Sequence, residues 1–176
     1  ISSGCVNLEE GKILYTNPQM NNYTQYMMAS SSIPFMMPVE DIGQLKFTDG
    51  GLVDSAPLGQ AIKMGATKLI LVANHPEKVG YRAINHNNPL VFADRLMDIV
   101  VNNTLNNDIM EAQLINELLK DGVNSRRTEG KKEIDITIIR PQSTIDLKID
   151  NFTSEDIKST WEMGWNEAES CLAKKY

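Results

Sequence analysis

The sequence predicts an α/β fold with a largely parallel sheet flanked by helices. Three observations carry that prediction. "KLILVAN" (Lys68–Asn74) is an almost unbroken apolar run, as in a strand covered on both faces. A long stretch from Asn88 to Gly122 repeats its apolar residues at helical spacing. The segments alternate in kind: strand, helix, strand, long helix, strand, helix.

Each element follows from local chemistry. "CVNLEEGKILYT" (Cys5–Thr16) reads as a hairpin around a Glu-Gly turn. "NPQMNN" (Asn17–Asn22) is a loop, and Tyr23 to Ala29 fits a short helix. Pro34 and Pro38 prevent a continuous helix across Ser32–Asp41. "QLKFT" (Gln44–Thr48) is a strand leading into Asp49. Pro57 to Ala66 has proline at its start and glycine after its last apolar turn, which marks a helix. In the long amphipathic segment, Phe92, Leu96, Ile99, Leu105, Ile109 and Leu118 fall at helical spacing. "EIDITIIRP" (Glu133–Pro141) is a strand closed by proline. In the last helix, capped by Thr153 or Ser154, the residues Ile157, Trp161, Trp165, Ala168 and Leu172 share one face. That face is expected to be buried. No repeat, low-complexity segment or dividing linker is visible.

The chain has 176 residues, 41% hydrophobic and 23% charged, with a net charge of −6, ordinary values for a globular domain. The negative charge repels a nucleic-acid backbone, and the densest basic cluster, "SRRTEGKKE" (Ser125–Glu133), contains two glutamates and reads as a solvated loop. No apolar run approaches the ~20 residues that span a bilayer. Cys5 and Cys171 have no metal-ligand spacing and are expected as reduced, partly buried thiols. His75 and His86 both lie in polar, turn-rich surroundings.

"FTDGGLVDSAP" (Phe47–Pro57) is the segment with chemical content. Two glycines after Asp49 point to a sharp bend with something close to the backbone, because glycine has no Cβ and tolerates unusual torsions. An aspartate at a strand's carboxyl end is placed to face a ligand cleft. On local sequence alone, Asp49 reads first as a turn cap. Asp54 reads as a turn or helix-cap residue before Pro57. Met27, Met28, Met36 and Met37 bracket "ASSSIPF". They are expected as core beneath a proline-broken loop, with an acyl-chain wall as the alternative.

The ordered pair "ASSSIPFMMP" (Ala29–Pro38) and "FTDGGLVDSAPLGQAIKMGATKLILV" (Phe47–Val72) resembles the C-terminal half of the patatin-like phospholipase family. "IIRP" (Ile138–Pro141) and Phe152–Glu169 resemble its later elements. The resemblance implies that residues 1–176 are the C-terminal portion of a single patatin-like α/β/α acyl hydrolase domain, incomplete in this chain. It implies lipid acyl-ester hydrolysis by a Ser–Asp dyad, with Asp49 as the base and Gly50 and Gly51 supporting the motif. No cofactor or metal is implied. The family's Gly-x-Ser-x-Gly nucleophile motif and its glycine-rich oxyanion segment do not occur in the sequence, and Ser30, Ser31 and Ser32 match other family serines. The nucleophile is therefore expected upstream, in a missing N-terminal portion of the same protein. Expected partners are that portion and a lipid or acyl-ester substrate, without nucleic acid. Peripheral membrane contact is compatible with this. The alternative is a catalytically inactive lipid-binding or scaffold module with the same fold.

Overall fold

A computed structural model describes residues 2–84, 87–145 and 152–175; His86 lies outside them. The chain divides into two compact units, residues 1–57 with 83–109 and residues 58–82 with 110–176.

The first unit is built on strands β1 (Ser3–Asn7), β2 (Lys12–Thr16), β3 (Glu40–Ile42) and β4 (Leu45–Asp49), in the order β2-β1-β4-β3. Helix α1 (Tyr23–Ala29) covers one side. Every pairing in this sheet is antiparallel. The expected hairpin is present, and its turn is held by Asn7, whose Oδ1 accepts the N–H groups of Glu9 and Glu10 at 3.0 and 3.2 Å. Gly11 closes it at φ 64°. Cys5, Ala29, Ile42 and Phe47 form the buried core, with Leu14 and Tyr26 packed against them. The Tyr26 and Phe47 rings meet edge-on at 5.2 Å.

The second unit contains helix α2 (Leu58–Lys63), strand β5 (Lys68–Val72), strand β6 (Asp135–Ile139) and helix α4 (Ser154–Ala173). Helix α3 (Pro89–Lys120) contributes its first part to one unit and its remainder to the other. Asn88 Oδ1 accepts the N–H groups of Leu90 and Val91, so a polar side chain starts α3, and Gly122 at φ 68° follows its end. Strands β5 and β6 pair in parallel. The side chain of Asn116 on α3 donates to Ile134 O at 2.6 Å and accepts from Ile134 N at 3.0 Å, which ties α3 to the start of β6. Thr153 and Asp156 form a capping box at the start of α4.

The α/β character therefore holds, but a largely parallel sheet is not seen among the described residues. Only β5 and β6 run parallel. The reason is connection length. β1–β2 and β3–β4 are joined by tight turns, and a tight turn can only return the chain antiparallel. Asp49 accordingly ends an antiparallel strand, so the crevice rule for parallel sheets does not apply to it.

Two burial expectations are also corrected. β5 is not covered on both faces, because Ile70 and Val72 are exposed. The apolar stripe of α4 is not its packed face either. Trp161 and Trp165 stack at 5.4 Å and remain 64% and 55% exposed. Thr160, Met163 and Gly164 face the strands instead, lining with Val72, Ile139 and Pro141 a small hollow of about 80 Å³. The Cys171 thiol donates to Ile138 O at 3.3 Å from the same side. Helical periodicity identifies an apolar stripe, but not whether a partner lies against it.

Tryptophan fluorescence checks this arrangement directly. Trp161 and Trp165 are the only two tryptophans, so the native chain should emit at the long wavelength of wet indole and be quenched readily by acrylamide. Blue-shifted emission protected from quencher would show that the stripe is covered.

Candidate functional site

The site is organised around the end of β4. Asp49 lies opposite Cys5 of β1 in the sheet register. A 3-10 turn, Gly50–Leu52, follows at once, and Asp49 is its N-cap: Gly51 N–H donates to Asp49 Oδ1 at 2.7 Å. Asp49 Oδ2 has no hydrogen-bond partner among the described residues, and the side chain is partly exposed. The carboxylate thus has one oxygen anchored and one left to accept a proton.

Gly50 explains the double glycine. A Cβ at this position would lie 2.5 Å from the carbonyl oxygen of Gly4 and 2.6 Å from its carbon. The intruder is β1 backbone, which cannot rotate away like a side chain. Neither Gly50 nor Gly51 has a positive φ, so close approach, not unusual torsion, requires glycine. At Gly51 a Cβ would meet only Asp49 Oδ1, at 3.2 Å.

The serine run is drawn to the same place. Ser32 O accepts from Asp49 N at 3.2 Å and from the buried Thr48 hydroxyl at 2.7 Å. The two motifs, "ASSSIP" and "TDGG", are therefore adjacent in space. The Ser31 and Ser32 hydroxyls both turn back to donate to Met28 O, at 2.9 and 3.1 Å. Among the described residues no hydroxyl is bonded to the Asp49 carboxylate.

Asp54 departs from its expected role as a turn or helix cap. The far end of the turn is closed by backbone, since Val53 N and Asp54 N both donate to Gly50 O at 3.0 Å. The carboxylate is free to face β2, where the Tyr15 phenol donates to Oδ2. Its Oδ1 is buried without a hydrogen-bond partner among the described residues. Asp108 on α3 lies near, accepting Ala56 N–H at 3.4 Å. Burial, then the Asp54 bond, then the charges of Asp54 and Asp108 raise the Tyr15 pKa well above its ordinary value near 10. Tyr15, Ser32 and Thr48 were not legible as site residues, because each acts through a partner distant in sequence.

The remaining sequence candidates fall as follows. Met27, Met28, Met36 and Met37 are exposed and do not form the expected core. Cys5 is buried, which pushes its pKa up to about 11, and Cys171 is half-buried; both are free thiols. His75 lies in a loop whose backbone is gripped by Arg140: Nε donates to His75 O and Nη2 to Pro76 O. Among the described residues, no group of three or more His, Cys, Asp or Glu is placed to hold a metal, and no helix is long and apolar enough to cross a membrane. No protein-family model matches the chain, and neither does any curated protein sequence.

Two outcomes follow from this geometry. Gly50→Ala should cost about 1–3 kcal/mol in denaturant unfolding, as overpacking against a fixed backbone does. Gly51→Ala should cost about 1 kcal/mol or less, since one carboxylate oxygen need move only slightly. The second outcome concerns pH. A phenol whose folded pKa is raised contributes stability in full below its unfolded pKa of about 10, and loses it as pH rises through the folded value. Wild type should therefore lose stability above about pH 10 more steeply than Tyr15→Phe. Parallel pH–stability curves for the two would contradict the burial of Tyr15 against Asp54.

Proposed function

We propose that the chain supplies the base of a serine–aspartate dyad in a patatin-like lipid acyl hydrolase. The serine and its oxyanion hole lie in sequence outside this chain. The observation that carries this reading is the state of Asp49. One oxygen is fixed by Gly51 N–H, the other is left over, and the serine-run loop is bonded to its backbone through Ser32. A base needs this combination of fixed orientation and an available lone pair. In the reaction Asp49 takes the serine hydroxyl proton as the oxygen attacks the ester carbonyl. It then returns the proton to the leaving alcohol. A carboxylate is a weak base for a hydroxyl, so most of the rate must come from positioning and from oxyanion stabilisation.

The finer fold assignment belongs to the same proposal. β5 and β6 would be part of a larger parallel sheet of the α/β/α type. The exposure of Ile70 and Val72 supports this, because parallel strands ordinarily have both faces covered. The second reading is a catalytically inactive lipid-binding or scaffold module. It is favoured by one observation: no hydroxyl meets Asp49 among the described residues.

The test is made on the intact protein with a p-nitrophenyl ester. Asp49→Asn keeps the acceptor for Gly51 N–H and removes the base, so turnover should fall by at least ~10²–10⁴-fold with little change in stability. Asp54→Asn retains an acceptor for Tyr15 and should turn over near normally. Full activity in Asp49→Asn, or loss confined to Asp54→Asn, defeats the dyad. An intact protein with no turnover at all supports the inactive module.

A further inference from the structure

The connection from α3 to β6 is the most basic stretch of an acidic chain. From Arg126 to Lys132 it holds four cations and one acid, Glu129, hence +3 in a chain of net −6. Its shape is fixed from within. The buried Thr128 hydroxyl donates to Val123 O at 2.8 Å and accepts Ser125 N–H at 2.9 Å. Thr128 N and Glu129 N both donate to Ser125 O, and Gly130 turns the chain at φ 68°. Arg126, Arg127, Lys131 and Lys132 are all exposed, and none makes an ion pair among the described residues. Beside this turn, the end of α3 and the entry to β6 enclose an open groove of about 690 Å³. Gln113, Asn116, Glu117 and Lys120 line it from one helix face, and Glu133 and Asp135 from the strand side. Asn116 keeps the groove rigid by holding both backbone groups of Ile134. Lys120 pairs with Glu133 and Lys175 with Asp135, so Glu117 is the carboxylate left to meet an incoming cation.

We propose that turn and groove form one interface between two copies of this chain, the Arg126–Lys132 turn of each entering the groove of the other. Charge complementarity selects a second copy, because one chain carries both the basic turn and the acidic groove. An acidic partner of another kind would match the turn and leave the groove empty. Position supports the same occupant. Lys132 is followed directly by Glu133 of the groove wall. A two-fold axis beside that junction brings both turns to both grooves at once, which is the closed, self-complementary arrangement of an isologous pair. The turn is also ordered before it docks, so little conformational freedom is lost on association. A contact of this kind is polar, reversible and weakened by salt. It goes beyond the hydrolase reading and uses no residue of the Asp49 site.

Analytical ultracentrifugation of the full chain over a concentration series tests it. The chain should dimerise reversibly at about 0.1 M salt and be monomeric at about 1 M, where the screening length falls from about 10 to about 3 Å. Charge reversal then gives a reciprocal check. Glu117→Lys makes groove and turn both positive, while Arg126→Glu with Arg127→Glu makes both negative. Each variant alone should dimerise at least about tenfold more weakly than wild type. Mixed in equal amounts the two should recover dimerisation, because every groove then meets a turn of opposite sign. Lys131→Glu with Lys132→Glu should behave as the arginine pair does. All these positions are exposed, so each variant should melt as wild type does. Asp49→Asn should dimerise normally, which separates this outcome from any failure of the dyad. A monomer at every concentration overturns the proposal. So does a dimer that persists at high salt, one that survives either reversal, or a mixture that stays monomeric. Growth beyond two chains overturns it by showing a head-to-tail contact in place of a closed pair. A monomer whose turn binds polyglutamate overturns it by naming an acidic partner instead of a second copy.

Discussion

The contact between Gly50 and the carbonyl of Gly4 governs the arrangement of the first unit. It is a backbone-to-backbone approach closer than any side chain permits. Because of it, the chain leaving β4 turns directly over β1 instead of being held off by a methyl group. The 3-10 turn then forms with Asp49 as its cap, and Gly51 N–H meets the carboxylate within two residues. An aspartate followed by bulkier residues would still end a strand, but its carboxylate would be displaced from this geometry.

The neighbouring hydrogen bonds divide into two kinds. Ser32 O, Thr48 Oγ1 and Asp49 N make a satisfied group, with the Thr48 donor buried and its bond well formed at 2.7 Å. Such a group fixes position at little net cost, since each buried donor has its acceptor. The Tyr15–Asp54 pair is different, because Asp54 Oδ1 is buried with no partner among the described residues. An unsatisfied buried oxygen costs about 1–3 kcal/mol. That cost sits in the segment joining the Asp49 turn to α2, not at Asp49 itself. Rigidity is thus concentrated before the carboxylate and tension after it.

Much of the secondary structure was legible because its signals are local. The Glu-Gly hairpin, the Asn88 start and Gly122 stop of α3, and the Thr153 cap of α4 are each written in a few consecutive residues. β3 was hidden in a proline-broken segment, and it exists because Gly43, at φ 69°, returns the chain onto β4. Strand direction was not legible, since alternation and apolar runs carry no polarity. Burial was the least accessible property. The methionines around "ASSSIPF" and the tryptophans of α4 have the residue types and spacing of a core, yet burial depends on what else is folded against them. At the candidate site, Asp49 and the need for glycine at Gly50 were visible in sequence. The Gly4 carbonyl that imposes that need was not, because it lies forty-six positions earlier.

The two thiols fall one in each compact unit: Cys5 in the first and Cys171 in the second. Cys5 is fully buried and its pKa is pushed to about 11, so at neutral pH it is both shielded and protonated. Only the thiolate reacts with alkylating reagents. Modification of Cys5 therefore reports the opening of the β1–β4 sheet, while modification of Cys171, on the face of α4 turned to β6, reports the separation of that helix from its strand. The native chain carries two internal clocks of local unfolding, readable separately by mass without the introduction of any label site.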